Sequence, residues 1–470
     1  MRFVFALCAL AGFCVSSAET TYLGLYLKGN KIGYASYDTF GAKYLGRPAL
    51  QSDSRTVMDT SLLGTSMVIQ MDSKSWSTKD GKPLRMWSDT ESGGRGNKVD
   101  AVFGPKSVTL NIMNGGVKSV RTLPIPLGSR VVDDPLTLVI NGGMQVGSTK
   151  SFYVLDPSTA SFIRNEVKVV GDSKTEVKGK KVRATLIEVT DPRASMKVYV
   201  GHKGELVRVD GPAGIEMLPV SKLVALSKNS PYMPSTDLAF STSIKTDKPI
   251  DDPEDLTHLK FKISGRNLSN IPSDTFQTVT KVGEDWVIDI HPIELSKEPV
   301  NTIEKAAHDK PQWLLPSLNI PSDSARFKKL ATSIIGAKKD VRTAAFALQS
   351  YVYENMKPKA DIGVLRDATE VLDTKEGVCR DYATLTVTLL RAARIPARLA
   401  SGLVNWDGTF YYHAWAEAWD GTNWIGVDST TDTAQVSASH VKLGDGNVDT
   451  AFSFTFLEKA KIDVLSASKD

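Results

Sequence analysis

Alternating apolar and polar positions dominate the first half of the chain. Residues 22–27 and 32–34 follow this pattern on either side of Gly29-Asn30, which is typical of two strands joined by a tight turn. Similar turn signals recur as far as residue 226, and long amphipathic helical patterns are scarce. We therefore predict a large, mostly antiparallel β domain over residues 20–226.

The pattern changes over residues 227–300. Residues 227–253 are rich in Ser, Pro, Thr and Asp, which is typical of a connector. Two alternating stretches, 259–263 and 286–290, follow and predict a short pair of strands. We interpret residues 227–300 as a linker and a small β unit, with His258 and His291 as surface residues at strand ends.

Apolar positions recur at helical spacing after Pro321. Capping residues and stop signals divide this region into four helices, of which the last follows Gly377, and three strands come next. The predicted helices cover residues 324–335, 340–356, about 367–374 and the segment from Gly377 to Ile395, and the predicted strands cover residues 398–404, 411–419 and 423–428. The fold class is therefore α+β, with a second domain at residues 301–470.

Length and charge exclude some classes of protein. A chain of 470 residues is too long for one core, and its net charge of +4 gives no reason to expect nucleic acid as a partner. Residues 1–18 combine a basic start, a short apolar run and small residues before Ala18, as a secretory signal peptide cleaved after Ala18 does. We find no stretch long enough for a transmembrane segment and expect a secreted or periplasmic protein.

Export changes the meaning of the cysteines. Cys8 and Cys14 leave with the signal peptide, so the mature chain keeps Cys379 alone. A lone thiol in an exported protein is a candidate nucleophile, although a buried cysteine can also act as a small apolar residue. Cys379 falls in the first turn of its predicted helix, where the helix dipole favours a thiolate.

A histidine and an aspartate complete the parts of a thiol enzyme. His413 lies within one predicted strand and Asp428 at the end of the next. Each lies seven residues from the predicted turn at Asp420-Gly421, so a regular hairpin would place them nearly opposite each other. An imidazole beside the thiol could serve as its base, and a carboxylate could orient the imidazole.

These motifs resemble the transglutaminase-like superfamily, a branch of the papain-like cysteine hydrolases and acyltransferases. The likeness covers roughly residues 305–435 and rests on Gly-x-Cys, His-Ala-Trp and Trp-x-x-Val-Asp motifs. It implies a fold in which the cysteine helix packs on an antiparallel sheet, and a catalytic set of Cys379, His413 and Asp428. The matching positions Gly377, Asp381 and Trp415 are the predicted supporting residues.

The expected activity is attack on an amide bond of a peptide or protein through a thioester at Cys379. Water as acceptor gives hydrolysis and an amine gives cross-linking; we favour hydrolysis because many bacterial-looking relatives of this type are protease-like. We expect no cofactor and no metal, since residues 445–449 begin like a calcium loop but lack its glycine and closing glutamate. The alternative is a catalytically silent envelope scaffold or binding protein.

Overall fold

The structure is a computed structural model of the chain. It describes residues 20–62, 65–128, 130–133, 145–177, 179–191, 194–202, 204–227, 237–266, 268, 271–451 and 457–469. The predicted signal peptide at residues 1–18 lies outside these ranges. None of the described helices combines the length and apolar character that a bilayer span requires.

The chain divides into two compact units. The first contains the residues up to Ser241 together with Asp361–Val364, and the second contains Thr242–Ala360 and Leu365–Asp470. Each unit has buried apolar clusters of its own.

The first unit is built on one antiparallel sheet. Within the described ranges the sheet has fourteen strands in the order β8-β7-β6-β5-β4-β3-β2-β1-β14-β13-β12-β11-β10-β9, so nearly all neighbours in space are neighbours in sequence. The strands are β1 (Thr21–Leu27), β2 (Asn30–Tyr44), β3 (Arg47–Leu62), β4 (Thr65–Ser77), β5 (Pro83–Ser92), β6 (Arg95–Phe103), β7 (Ser107–Asn114), β8 (Val117–Pro124), β9 (Thr149–Asp156), β10 (Ser161–Val177), β11 (Lys180–Asp191), β12 (Ala194–Val200), β13 (Leu206–Asp210) and β14 (Ile215–Pro219).

Alternation along these strands decides which face is buried. In β7, Val108, Leu110 and Ile112 are buried, whereas Asn111 is exposed. The same alternation in β1 to β4 and β10 to β14 fills an apolar cluster in this unit. The predicted large antiparallel β domain is confirmed.

The first hairpin turn lies one residue earlier than the sequence indicated. Lys28 and Gly29 both have positive φ, 50° and 82°. Two consecutive positive φ values are the mark of a type I′ turn, whose twist matches that of the strands it joins. Asn30 consequently begins β2 and pairs with Leu27.

Helices are concentrated in the second unit. Three of the predicted helices begin after a residue whose side chain accepts a backbone N–H, namely Ser324, Asp340 and Asp367. The prediction that helices begin after Pro321 is wrong, because earlier short helices exist. The described helices are α1 (Lys222–Leu226), α2 (Leu238–Thr242), α3 (Ile303–Asp309), α4 (Ala325–Ile335), α5 (Val341–Asn355), α6 (Ala368–Thr374), α7 (Cys379–Ala392) and α8 (Val448–Ala451).

The second unit contains two larger sheets and one short pair of strands. One sheet has the order β15-β22-β21-β24 with β23 also paired to β22, the other has the order β17-β18-β16-β25, and β19 pairs with β20. The strands are β15 (Ile244–Lys245), β16 (His258–Arg266), β17 (Gln277–Val282), β18 (Asp285–Ile290), β19 (Lys357–Pro358), β20 (Glu376–Gly377), β21 (Ala397–Trp406), β22 (Thr409–Trp419), β23 (Trp424–Val427), β24 (His440–Gly446) and β25 (Glu458–Ser468).

Helix α7 lies at the centre of the second unit. It packs on β21 and β22 and is contacted by α4, α5 and α6. Leu385, Leu389 and Leu390 are buried in the apolar cluster. The hydroxyls of Thr386 and Thr388 are also buried. Each donates to the carbonyl four residues earlier, so the hydrogen-bonding capacity of both donors is satisfied. The predicted cysteine-bearing helix on an antiparallel sheet is thereby confirmed.

Candidate active site

The start of α7 is held by the Asp381 carboxylate. Its Oδ2 accepts the Val378 backbone N–H at 3.0 Å and lies 3.1 Å from Arg366 Nη2. Only 0% of the Arg366 side chain and 2% of the Asp381 side chain are exposed. The guanidinium also donates to Thr374 Oγ1 and to the Glu376 carbonyl. A buried ion pair therefore fixes the helix end that carries the cysteine.

This ion pair leaves no room for a side chain at Gly377. A Cβ at position 377 would lie 2.6 Å from both Arg366 Nη2 and Asp381 Oδ2. Contacts that short are not tolerated, so any larger residue would push the ion pair apart. The structure thus gives a steric reason for the glycine inside the protein, whereas its role as a supporting residue of the site stays a prediction.

Cys379 is the first residue of α7 and a free, partly buried thiol. It packs against the same apolar cluster as the rest of the helix. The N–H groups of this first turn have no acceptor within the helix and, with the helix dipole, favour negative charge on the sulfur. The sulfur lies close enough to the His413 ring to favour its protonated form, which raises the pKa of that ring.

His413 lies on β22 with its ring between the thiol and a carboxylate. Its Nε2 is 2.7 Å from Asp428 Oδ2. Because Nε2 faces the carboxylate, Nδ1 is the nitrogen available to Cys379. Only 11% of the His413 side chain is exposed. The structure therefore brings the three predicted catalytic residues together in the order sulfur, imidazole, carboxylate.

The Asp428 carboxylate is fully engaged. Oδ1 accepts from the Thr430 backbone N–H and from Thr430 Oγ1, both at 2.8 Å. Oδ2 accepts from His413 and, at 3.3 Å, from His440 Nε2. The main chain is held as well, because Gln349 Nε2 donates to the Asp428 carbonyl at 2.9 Å. These bonds fix both the position and the rotation of the carboxylate.

Asp428 reaches His413 in a register different from the predicted one. Trp419 pairs with Trp424, and continuing this register past the end of β23 puts Asp428 across from Trp415. His413 lies two positions before Trp415 on β22, so His413 and Asp428 are diagonal neighbours. A diagonal pair remains within reach of a ring and a carboxylate, so the expected contact forms despite the different register.

The difference comes from the turn between β22 and β23. The buried Asp420 carboxylate accepts the backbone N–H groups of Thr422 and Asn423 at 2.9 and 2.8 Å. This side chain is also paired with Arg342 at 2.8 Å. The Asp420 side chain thus stabilises a four-residue turn where Asp420-Gly421 predicted a two-residue one.

Sequence reasoning missed His440. This residue begins β24, is 5% exposed, and reaches Asp428 only because β24 pairs with β21 beside β22. Its neighbours Val441 and Leu443 are buried and follow a strand-like alternation that could have indicated β24. Nothing in the local sequence indicates which strand β24 would join.

Trp415 packs against both histidines. It is 1% exposed. Its ring lies 6.2 Å from the His413 ring at 19° and 5.1 Å from the His440 ring at 79°. These contacts limit the rotation of both imidazoles, and the supporting role of Trp415 stays a prediction.

Charge and burial have opposite effects on the pKa values of His413, Asp428 and His440. Burial alone would lower the pKa of His413, but the Asp428 carboxylate and Cys379 raise it to about 10. Burial would raise the pKa of Asp428, but His413 and His440 hold it well below its usual range. Burial lowers the pKa of His440 despite the hydrogen bond to Asp428. At neutral pH the site therefore contains a carboxylate, a protonated His413 and a neutral His440.

Two groups of potential metal ligands occur in the part of the chain that the structure describes. One is His413, Asp428 and His440, and the other is His258, Asp289 and His291. The calcium-like stretch contributes to neither group. There, Asp445 Oδ1 accepts from Arg398 at 2.8 Å and the next ligand-like side chain, Asn447, accepts from Arg391 at 2.7 Å.

Comparison with known families supports the motif interpretation. Residues 328–429 match the model of the transglutaminase-like superfamily, which places this part of the chain in that superfamily. The matched range contains Cys379, His413 and Asp428.

Curated relatives cover only a short part of the chain. An uncharacterized protein of Mycobacterium leprae is 33% identical over 92 residues, which are 18% of this chain and 32% of the relative. An uncharacterized protein of Mycobacterium tuberculosis is 34% identical over 91 residues, 16% of this chain and 29% of the relative. The chain thus spans about a third of the length of the curated relatives it matches.

Two solved structures are also similar in part. A candidate cysteine protease from Cytophaga hutchinsonii has a TM-score of 0.31 and 19% identity, covering 48% of this chain and 86% of its own. A β-barrel-like protein of unknown function from Brucella abortus has a TM-score of 0.31 and 13% identity, covering 43% of this chain and 96% of its own. At these TM-scores neither likeness indicates a function.

Proposed function

We propose that this protein is an exported cysteine-dependent enzyme that cleaves amide bonds of peptides or proteins through a thioester at Cys379. The observation that carries the proposal is the position of the His413 ring, with one nitrogen toward Cys379 and the other 2.7 Å from Asp428. Export rests on the pattern of residues 1–18 alone.

The first half of the reaction forms the thioester. The Cys379 thiolate attacks the carbonyl carbon of the amide, and the carbonyl π electrons move to oxygen. The Cys379 backbone N–H, at the start of α7, is a donor for that oxyanion. His413, protonated at Nδ1, then gives its proton to the leaving nitrogen as the C–N bond breaks and the carbonyl re-forms.

The second half releases the acyl group. Neutral His413 accepts a proton from water, which attacks the thioester carbon, and the C–S bond breaks to return the thiolate. Asp428 remains ionised throughout and orients the ring by its Nε2 bond. Hydrolysis is favoured over transamidation because water needs no binding groove, whereas an acceptor amine must be held beside the thioester.

His440 has a positioning role in this scheme. It donates to the same Asp428 oxygen as His413, and its ring is held edge-on to Trp415. A neutral donor at this place keeps the carboxylate from rotating toward another partner without adding a second positive charge beside His413.

The test compares three proteins: wild type, Cys379→Ala and His413→Gln. Each is incubated with a peptide library, with and without a primary amine, and the products are analysed by mass spectrometry. We expect cleaved peptides from wild type alone. Amine adducts in place of acids would move the assignment to transamidation, and equal product from Cys379→Ala would rule out the thiol mechanism.

A second measurement separates an inactive fold from an unsuitable library. Iodoacetamide at neutral pH should alkylate Cys379 faster in the folded wild type than in the unfolded chain, and His413→Gln should remove the difference. A folded protein whose thiol reacts no faster than the unfolded one, combined with an intact cellular role for Cys379→Ala, would favour the scaffold alternative.

A further inference from the structure

A second group of histidines lies on the outer face of the β17-β18-β16-β25 sheet. Leu259 pairs with Ile290, so His258 stands across from His291, the residue directly after β18. Leu259 and Ile290 are both buried, and strand alternation puts His258, Asp289 and His291 on the opposite face. The group therefore sits on two adjacent, hydrogen-bonded strands.

Both imidazoles point at one carboxylate oxygen. His258 Nε2 lies 2.8 Å and His291 Nε2 lies 2.9 Å from Asp289 Oδ1. The two rings stack with centroids 4.4 Å apart at 14°. All three potential ligand atoms lie within 4.8 Å of one another.

The other carboxylate oxygen has a different partner. Lys260 Nζ lies 2.8 Å from Asp289 Oδ2. A carboxylate that is hydrogen-bonded on its second oxygen is the usual outer-shell arrangement around a metal ligand, because it fixes the orientation of the first oxygen. Lys260 leaves Oδ1 and both imidazoles free to converge.

This donor set suits a borderline divalent ion. Two neutral imidazole nitrogens and one carboxylate oxygen are a ligand set of open zinc sites, in which a fourth position holds water. With Zn²⁺ bonds of about 2.1 Å, ligand atoms at a tetrahedral centre are roughly 3.4 Å apart. The two contacts with Asp289 would open by about half an ångström, and one imidazole would turn out of the 14° stack, since an ion lies in the plane of each ring that binds it. Such a shift is within the reach of side-chain rotation, since 61% of His291 is exposed.

We propose that His258, Asp289 and His291 bind a divalent transition-metal ion of the Zn²⁺ class, which would link β16 to β18 and keep one coordination position open to water. The site requires no part of the Cys379 chemistry. It also changes the interpretation of His258 and His291 from surface residues to ligands.

The buried group of His413, Asp428 and His440 is the competing destination for an added metal, with Cys379 beside it. Co²⁺ as a probe distinguishes the two. Tetrahedral Co²⁺ absorbs in the visible, and a thiolate ligand adds a sulfur-to-metal charge-transfer band in the near ultraviolet. The proposed site contains no sulfur and must lack that band.

The experiment titrates the metal-free full chain with Co²⁺, then displaces the ion with Zn²⁺ and follows the heat of binding. The variants are His258→Ala, His291→Ala and the matched control His308→Ala, whose side chain is 93% exposed on helix α3. Wild type and His308→Ala should bind one tetrahedral ion without a thiolate band. Each of the other two variants should lose at least about tenfold in affinity, the smallest loss that even an outer-shell change usually causes.

Circular dichroism of each metal-free variant checks that it folds. Equal binding by wild type, His258→Ala and His291→Ala would overturn the proposal. A visible spectrum that carries a thiolate band and disappears in Cys379→Ala would also overturn it, since the ion would then belong to the candidate active site.

Discussion

Removing the Asp381 carboxylate should destabilise the second unit strongly. Asp381→Ala leaves the Arg366 guanidinium, 0% exposed, without its counter-charge. Breaking a buried ion pair in this way costs about 3–5 kcal/mol. The Val378 backbone N–H also loses its capping acceptor, which adds about 1 kcal/mol. We therefore expect unfolding to become easier by about 4–6 kcal/mol.

An exposed pair provides the matched control. Arg326 on helix α4 pairs with Asp373 on helix α6, but their side chains are 50% and 55% exposed. Solvent screens such a pair, so Asp373→Ala should cost about 0–1 kcal/mol. Both variants remove a carboxylate from an arginine partner, so the difference between them reports the burial of the ion pair together with the lost acceptor of the Val378 N–H.

Urea denaturation followed by tryptophan fluorescence measures the effect where it occurs. Of the eight tryptophans, only Trp76 and Trp87 lie in the first unit, so the signal reports mainly on the second. The double variant Arg366→Met with Asp381→Ala should recover part of the loss, because it no longer buries a lone charge. A cost for Asp381→Ala no larger than that of Asp373→Ala would refute the reasoning.

Three further predictions concern His413 and two residues near the predicted catalytic set, His440 and Gly377. The pKa of His413 is raised to about 10. The ring should therefore be fully protonated, and its contribution to stability fully present, below about pH 6.5, and both should be lost as pH rises through 10. Measurement by ¹⁵N NMR of labelled histidine checks this, and a ring titrating near pH 6.5 would contradict it. His440→Ala should lower kcat more than it changes KM and raise the alkaline limit of the pH profile, because Asp428 then bonds His413 alone; His440→Gln, which keeps a donor, should rescue it. Gly377→Ala should slow alkylation of Cys379 and lower the melting temperature, since the added Cβ has contacts of 2.6 Å; unchanged values for both would show that the turn adapts freely.

Features with a local signal were predictable from the sequence. Ser324, Asp340 and Asp367 cap helices close to where the pattern of polar residues ahead of apolar ones indicated. The order of Cys379, His413 and Asp428 on a helix and two strands required only short-range periodicity and one turn. Their roles in catalysis stay predictions until the assays above are made.

Features that depend on distant pairing were not predictable. His440 meets Asp428 because β24 joins β21, and no local pattern specifies that partner. The sequence places Arg366 in a loop, yet its side chain is buried beside Asp381. The four-residue turn at Asp420 also shifts the register of β22 with β23, which had been predicted from a two-residue turn. In the last two cases a buried ion pair, which no local propensity indicates, accompanies the arrangement.

The pairing of β25 with β16 has a consequence for biosynthesis. Thr257, next to β16, is hydrogen-bonded to Ser468 across 211 positions of chain. Until β25 emerges from the ribosome, β16 lacks one of its two neighbours, and the cost of closing so long a loop delays the pairing further. The unit that carries the thiol can thus be completed only after β25 has been made. A nascent chain halted before β25 would keep one edge of β16 unpaired.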